Sequence, residues 1–132
     1  MDCQHCGGDR VAFAVPEELR EYAPGEAAAA TVCASCLRVA PVEEEAVGAD
    51  DADLRAVVDG FPTGRGGAAV ALLVAKLDSL ALNRADISDL ADEAERAGAD
   101  PFLTLDRLAS APGVEPHFDI DRRRPQLEQT LE

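Results

Sequence analysis

Apolar positions follow two different spacings along this chain. In the first third they recur every second residue. Val11, Phe13 and Val15 alternate with other side chains, which predicts a strand over 10–15 that Pro16 stops. Positions 17–26 are polar and carry Pro24-Gly25, a turn signal, so they read as a flexible or decorated hairpin tip. A second strand is expected over 27–32, although its run of four alanines is poor strand material. Leu37 and Val39 predict a short third strand over 37–42, with both on one face. The acidic run Glu43-Glu44-Glu45 reads as a solvated surface.

Beyond residue 48 the spacing becomes helical. Asp50, Asp51 and Asp53 offer N-cap acids to a short helix through Leu54, Val57 and Val58 that ends near Gly60. The strongest helical pattern covers 66–83. Val70, Leu73, Val74, Leu77 and Leu80 form one stripe, and Leu72, Ala75 and Leu82 widen it, so burial on more than one side is expected. Asp86 reads as the cap of a third helix, with Ile87, Leu90, Ala91, Ala94 and Ala97 inward and Gly98 at C′. Asp100-Pro101 reads as an N-cap followed by proline at the first helical position, with Phe102, Leu105 and Leu108 facing inward. In the tail, Phe118 and Ile120 suggest a short docking strand. Residues from 125 onward suggest a frayed helix through Leu127 and Leu131.

Charge narrows the partners. The 132 residues include 26 acidic and 12 basic side chains, a formal net charge of −14. Eleven of the basic residues are Arg, Lys76 is the only lysine, and alanine occurs twenty-five times. Such a charge destabilises a compact chain by self-repulsion unless salt screens it. It also opposes electrostatic binding to nucleic acid or to anionic membranes. The apolar run 68–82 contains Lys76 and Asp78 and is too short to span a bilayer. The start, through Cys3-Gln4-His5-Cys6, has neither a basic nor an apolar leader region, so a cytoplasmic, reducing setting is expected.

The four cysteines form two C-x₂-C pairs, Cys3/Cys6 and Cys33/Cys36, separated by 26 residues. Two intervening residues let both sulfurs of a pair reach one ion from a tight turn. The predicted hairpin brings the two turns to the same end. Gly7 follows the first pair and suits a left-handed turn. Leu37 holds the equivalent place after the second pair. Four thiolates make a closed tetrahedral site for one structural zinc ion. Disulfides are disfavoured by a reducing compartment, and a thioredoxin-like unit for redox chemistry is not visible. Iron also accepts four sulfurs, but the aromatic surroundings of a rubredoxin-like site are missing. His5, inside the first knuckle, is expected to face solvent rather than to replace a cysteine.

This pattern of knuckle, two strands, knuckle and third strand resembles the zinc ribbons over roughly residues 1–42. The spacer is longer than many ribbons use. Acid excess, scarce lysine and small apolar residues resemble the proteins of salt-loving archaea, and the whole chain looks like the short zinc-ribbon proteins of haloarchaea whose activity is unknown. The expected fold is α+β: an N-terminal three-stranded antiparallel zinc ribbon (1–48), a small three- to four-helix bundle (49–113), and a C-terminal tail (114–132), docked or partly disordered.

Other motifs are weaker. The Gly-rich stretch 60–67 precedes a helix but lacks the order of a phosphate-binding loop, and reads as a linker with Thr63 or a glycine as cap. Arg122-Arg123-Arg124 is the only basic cluster and reads as a partner for nearby acids such as Asp119 and Asp121. No nucleophile–base pair is legible, so no catalytic residue is assigned. The expected function is a non-enzymatic zinc protein that acts as a protein-interaction or regulatory adaptor. Its alternatives are a transcription-associated or nucleic-acid-binding ribbon, which the net charge of −6 over residues 1–48 opposes, and a thiol or iron redox protein.

Overall fold

A computed structural model describes residues 2–47 and 54–131. The predicted N-cap acids Asp50, Asp51 and Asp53 lie outside the described residues. Three strands, β1 (Arg10–Ala14), β2 (Ala29–Cys33) and β3 (Val39–Pro41), form an antiparallel sheet in the order β1-β2-β3. Val11 lies opposite Val32, Phe13 opposite Ala30, and Val32 opposite Val39. These residues share one face, as the alternation required. All of β2 is buried, so burial overrides the poor strand propensity of its alanines.

The hairpin tip is built of 3₁₀ turns, Glu17–Tyr22 and Pro24–Glu26, rather than a loose polar loop. Leu19, the one aliphatic residue between Pro16 and Ala23, is fully buried and holds the tip down. The Tyr22 hydroxyl donates to Asp89 at 3.1 Å, and Arg65 pairs with Glu18 at 3.2 Å. Arg65 also donates to Glu93, a hydrogen bond that holds the Glu93 carboxyl below its ordinary range.

Helix α1 (Gly64–Ala75) is the centre of the molecule: every residue from Gly66 to Val74 is buried. A Cβ on Gly67 would lie 2.2 Å from the Pro62 carbonyl oxygen, so only glycine fits that first turn. Thr63 is at the N-cap, but its side chain makes no capping bond. The helix expected over 66–83 is shorter than its stripe. It ends at Ala75 and gives way to a 3₁₀ segment, Leu77–Leu82, with Ser79 at φ −128°, ψ 50°. Leu77 and Leu80 stay buried, whereas Leu82 is 88% exposed. The break frees the Asp78 carbonyl to accept from Arg123 at 3.3 Å and the Ser79 carbonyl to accept from Asn83 at 3.0 Å.

Helix α2 (Arg84–Arg96) begins before Asp86, which is therefore a first-turn residue and not the cap; its carboxylate lies 3.6 Å from Lys76. Ile87, Leu90, Ala91 and Ala94 are buried, and Ala97 is exposed because it already belongs to the cap. Gly98, at φ +85°, closes the helix. The Ala99 amide donates to Ala94 and the Gly98 amide to Glu95, which satisfies two terminal carbonyls. Helix α3 (Pro101–Ser110) starts as its sequence predicts, with Asp100 accepting from the amides of Phe102 and Leu103. The short helix expected through Leu54 is only a 3₁₀ turn, Leu54–Ala56.

The tail differs most from expectation. Phe118 and Ile120 form no strand. Helix α4 (Ile120–Leu131) starts five residues before Pro125, and the Asp119 carboxylate accepts the Arg122 amide at its first turn. Ile120 and Leu127 are buried. One hydrophobic cluster joins Phe13, Val15, Leu19 and Val32 to Leu73, Leu90, Leu105 and Leu127. The architecture is α+β: an antiparallel sheet followed by helices.

Candidate metal centre

The two C-x₂-C turns repeat the same backbone bonding. In the first, the Gly7 amide donates to the Cys3 carbonyl (2.8 Å) and the Cys3 amide to the Gly8 carbonyl (2.8 Å). In the second, the Leu37 amide donates to the Cys33 carbonyl (3.0 Å) and the Cys33 amide to the Arg38 carbonyl (2.9 Å). Each turn needs a left-handed residue after its second cysteine. Gly7 has φ +77°, and Leu37 reaches φ +66° despite its side chain. Leu37 is 1% exposed, so packing against the core holds a conformation that leucine avoids.

Pairing β1 with β2 sets the turns side by side, and the four sulfurs converge. Cys3 and Cys36 Sγ are 3.7 Å apart, Cys6 and Cys33 Sγ 3.4 Å, and all four atoms lie within 4.8 Å of one another. A tetrahedral ion with metal–sulfur bonds near 2.3 Å needs an edge of roughly 3.8 Å. The donor set and its dimensions therefore fit one metal ion. Cys3, Cys33 and Cys36 are buried and Cys6 is exposed. Amides point at the sulfurs: Gly8 at Cys6 (3.4 Å), and Ser35 and Cys36 at Cys33 (3.4 and 3.3 Å). Gly8, which the sequence pattern did not single out, is part of the cradle. A Cβ there would lie 2.8 Å from the Ser35 Cβ and 3.2 Å from the Cys33 Sγ.

The sulfurs are electrostatically unequal. Hydrogen bonds from the backbone of His5 and Cys6 draw the Cys3 thiol down from 9.0 to about 6. The Gly8 amide lowers Cys6. Burial pushes the Cys33 thiol up to about 12. A buried thiol beside an easily ionised one suits a site in which a cation displaces the remaining protons.

The tail also reaches this site, which no hydrophobic pattern could announce. The Glu115 amide donates to the Ser35 carbonyl (2.7 Å) and the His117 amide to the Cys36 carbonyl (3.0 Å). His117 Nδ1 lies 2.8 Å from the same carbonyl oxygen, and Ser35 Oγ donates to the Gly113 carbonyl (3.1 Å). These bonds strap residues 113–117 across the second knuckle.

The other motifs form no second centre among the described residues. His5 is exposed and stands outside the sulfur cluster. In the arginine run, Arg124 pairs with Asp106 and Glu128 and lies over the Phe102 ring at 5.2 Å, while Arg123 bonds Gln126 and the Asp78 carbonyl. Among the described residues no helix is long and apolar enough to cross a membrane.

No curated protein and no solved structure matches the chain. A family model described as a family of unknown function matches residues 2–131, nearly the whole length. On that match, the chain belongs to the family of unknown function DUF6276.

Proposed function

We propose that this protein is a non-enzymatic, cytoplasmic adaptor of a salt-adapted archaeal cell. Its ribbon is fastened by one structural zinc ion on Cys3, Cys6, Cys33 and Cys36, and it recognises another protein. The convergence of four thiols within 4.8 Å carries the reading. Zinc bound there supplies a fixed crosslink between the two knuckles. An all-thiolate set leaves no position for a water, which argues against hydrolytic metal chemistry. The chain's own residues do the rest: Gly8, Ser35 and Cys36 amides stabilise thiolate charge, and the segment around His117 shields the second knuckle. A ribbon of this size has little core of its own, so metal binding contributes directly to its folding.

Metal analysis of protein purified under reducing conditions in concentrated KCl tests the centre. One zinc per chain is expected. Visible absorption with stoichiometric iron, or protein that is folded and metal-free, overturns it. Capture of a defined protein by the zinc-loaded chain, abolished by Cys33→Ser, is expected for the adaptor role. Repeated recovery of no partner in high-salt lysate counts against that role.

A further inference from the structure

A cavity of about 260 Å³ opens beside the first knuckle, between the β3 edge of the sheet and the end of α1. Its walls include Cys3, Arg10, Thr31, Arg38, Asp78 and His117. Several arginines of this acidic chain have no carboxylate partner among the described residues, Arg20, Arg107 and Arg123 included; what is particular here is two half-buried ones lining one cavity. The arginines that do meet carboxylates are Arg65 with Glu18 and Glu93, Arg96 with Glu93, and Arg124 with Asp106 and Glu128. Arg10 and Arg38 are half-buried, face the same cavity, and have no ion-pair partner among the described residues. Arg10 Nε donates to Thr31 Oγ1 at 3.0 Å, and Thr31 is one of the few buried polar residues. That bond orients the guanidinium and leaves its terminal amino groups for a ligand. Arg38 makes no side-chain hydrogen bond within the described residues. The cavity's carboxylate, Asp78, is turned to His117 Nε2 at 3.7 Å rather than to either arginine.

We propose that this cleft binds a small molecule carrying a phosphate monoester, held between Arg10 and Arg38. Two fixed positive charges match the roughly −1.5 to −2 charge of such a group at neutral pH, which a carboxylate does not supply. Guanidinium groups offer paired donors to its oxygens. The volume lies just under the usual range of about 300–1,000 Å³ for ligand pockets, so the ligand is compact. The net charge of −14 disfavours a long polyanion such as a nucleic acid.

The test uses the full, metal-loaded chain at constant potassium concentration, with glycerol 3-phosphate as probe and NMR of the arginine Nε–Hε groups as readout. Saturable shifts at Arg10 and Arg38 are expected, with inorganic phosphate competing and glycerol silent. Arg38→Gln, whose side chain supports no internal bond, weakens binding about tenfold, the loss of one charge-assisted contact. Arg84→Gln, at a separate surface, leaves binding unchanged. Absence of saturation overturns the proposal. So does an equal loss in Arg84→Gln, or an oligonucleotide binding more tightly as its length grows. Unchanged thermal midpoints in both variants separate lost binding from lost folding.

Discussion

Leu37 shows how a single residue can break a local rule and still be right. The second knuckle needs a left-handed residue, and leucine there costs roughly 1–2 kcal/mol of backbone strain. Its buried side chain returns about 1.5–3 kcal/mol, so burial wins narrowly. Leu37→Ala keeps the strain and loses the packing, and is expected to destabilise the protein by about 2–5 kcal/mol in denaturant unfolding. Leu37→Gly relieves the strain and should be more stable than the alanine variant by roughly 1 kcal/mol. An alanine variant as stable as the glycine one would remove this account. The thiols make a second prediction. In metal-free protein Cys3 is depressed from 9.0 to about 6, so its contribution is present above 9.0 and lost as pH falls through about 6. Cys33 is raised to about 12, so its contribution is present below 9.0 and lost as pH rises through about 12. Metal uptake must displace the Cys33 proton at neutral pH and the Cys3 proton below about 6. Chelator competition should therefore show affinity falling as pH falls, about tenfold per unit for each proton displaced. Affinity that is flat with pH would mean the thiols are not the ligands.

At the scale of elements, the end of α2 and the start of α3 were legible, whereas the end of α1 and the start of α2 were not. Asp100 caps α3 through the amides of Phe102 and Leu103, and Asp100→Ala is expected to cost about 1 kcal/mol in thermal or urea unfolding. The Gly98 turn after α2 was equally legible, because a left-handed terminus leaves few residue choices. The break after Ala75 was not legible. Leu77 and Leu80 continue the apolar stripe, yet the Asp78 carbonyl serves Arg123, which arrives from α4, and the Ser79 carbonyl serves the side chain of nearby Asn83. Periodicity reports which residues are buried and not whether the backbone between them stays helical. Gly67 marks the tightest approach to backbone, and Gly67→Ala should lower the thermal midpoint because its Cβ would meet the Pro62 carbonyl. An unchanged midpoint would show that the first turn of α1 can shift freely.

At the scale of the molecule, sheet, helices and tail share one hydrophobic cluster, and the tail is bonded to the second cysteine knuckle. Metal affinity and tail docking should therefore be coupled. His117→Ala removes the Nδ1 contact with the Cys36 carbonyl, and hydrogen exchange in α4 is expected to speed up together with weaker metal retention. Faster exchange with unchanged metal binding would uncouple the two. The net charge of −14 acts on the whole fold, so the unfolding midpoint should rise with KCl as screening reduces self-repulsion. A midpoint independent of salt would mean that the acids are too far apart to repel one another.

From spacing along the chain alone one can read the sheet-then-helices order, most of the buried faces (Leu82 and Ala97 excepted), the caps at Asp100 and Gly98, and the two cysteine pairs. Each of these follows from short-range geometry: period two or 3.6, a capping side chain, or two residues between ligands. The docking of the hairpin tip through Leu19, the break after Ala75, the left-handed Leu37 and the strap at His117 come from long-range packing. Those features depend on contacts between residues far apart in sequence, and such contacts leave no periodic trace.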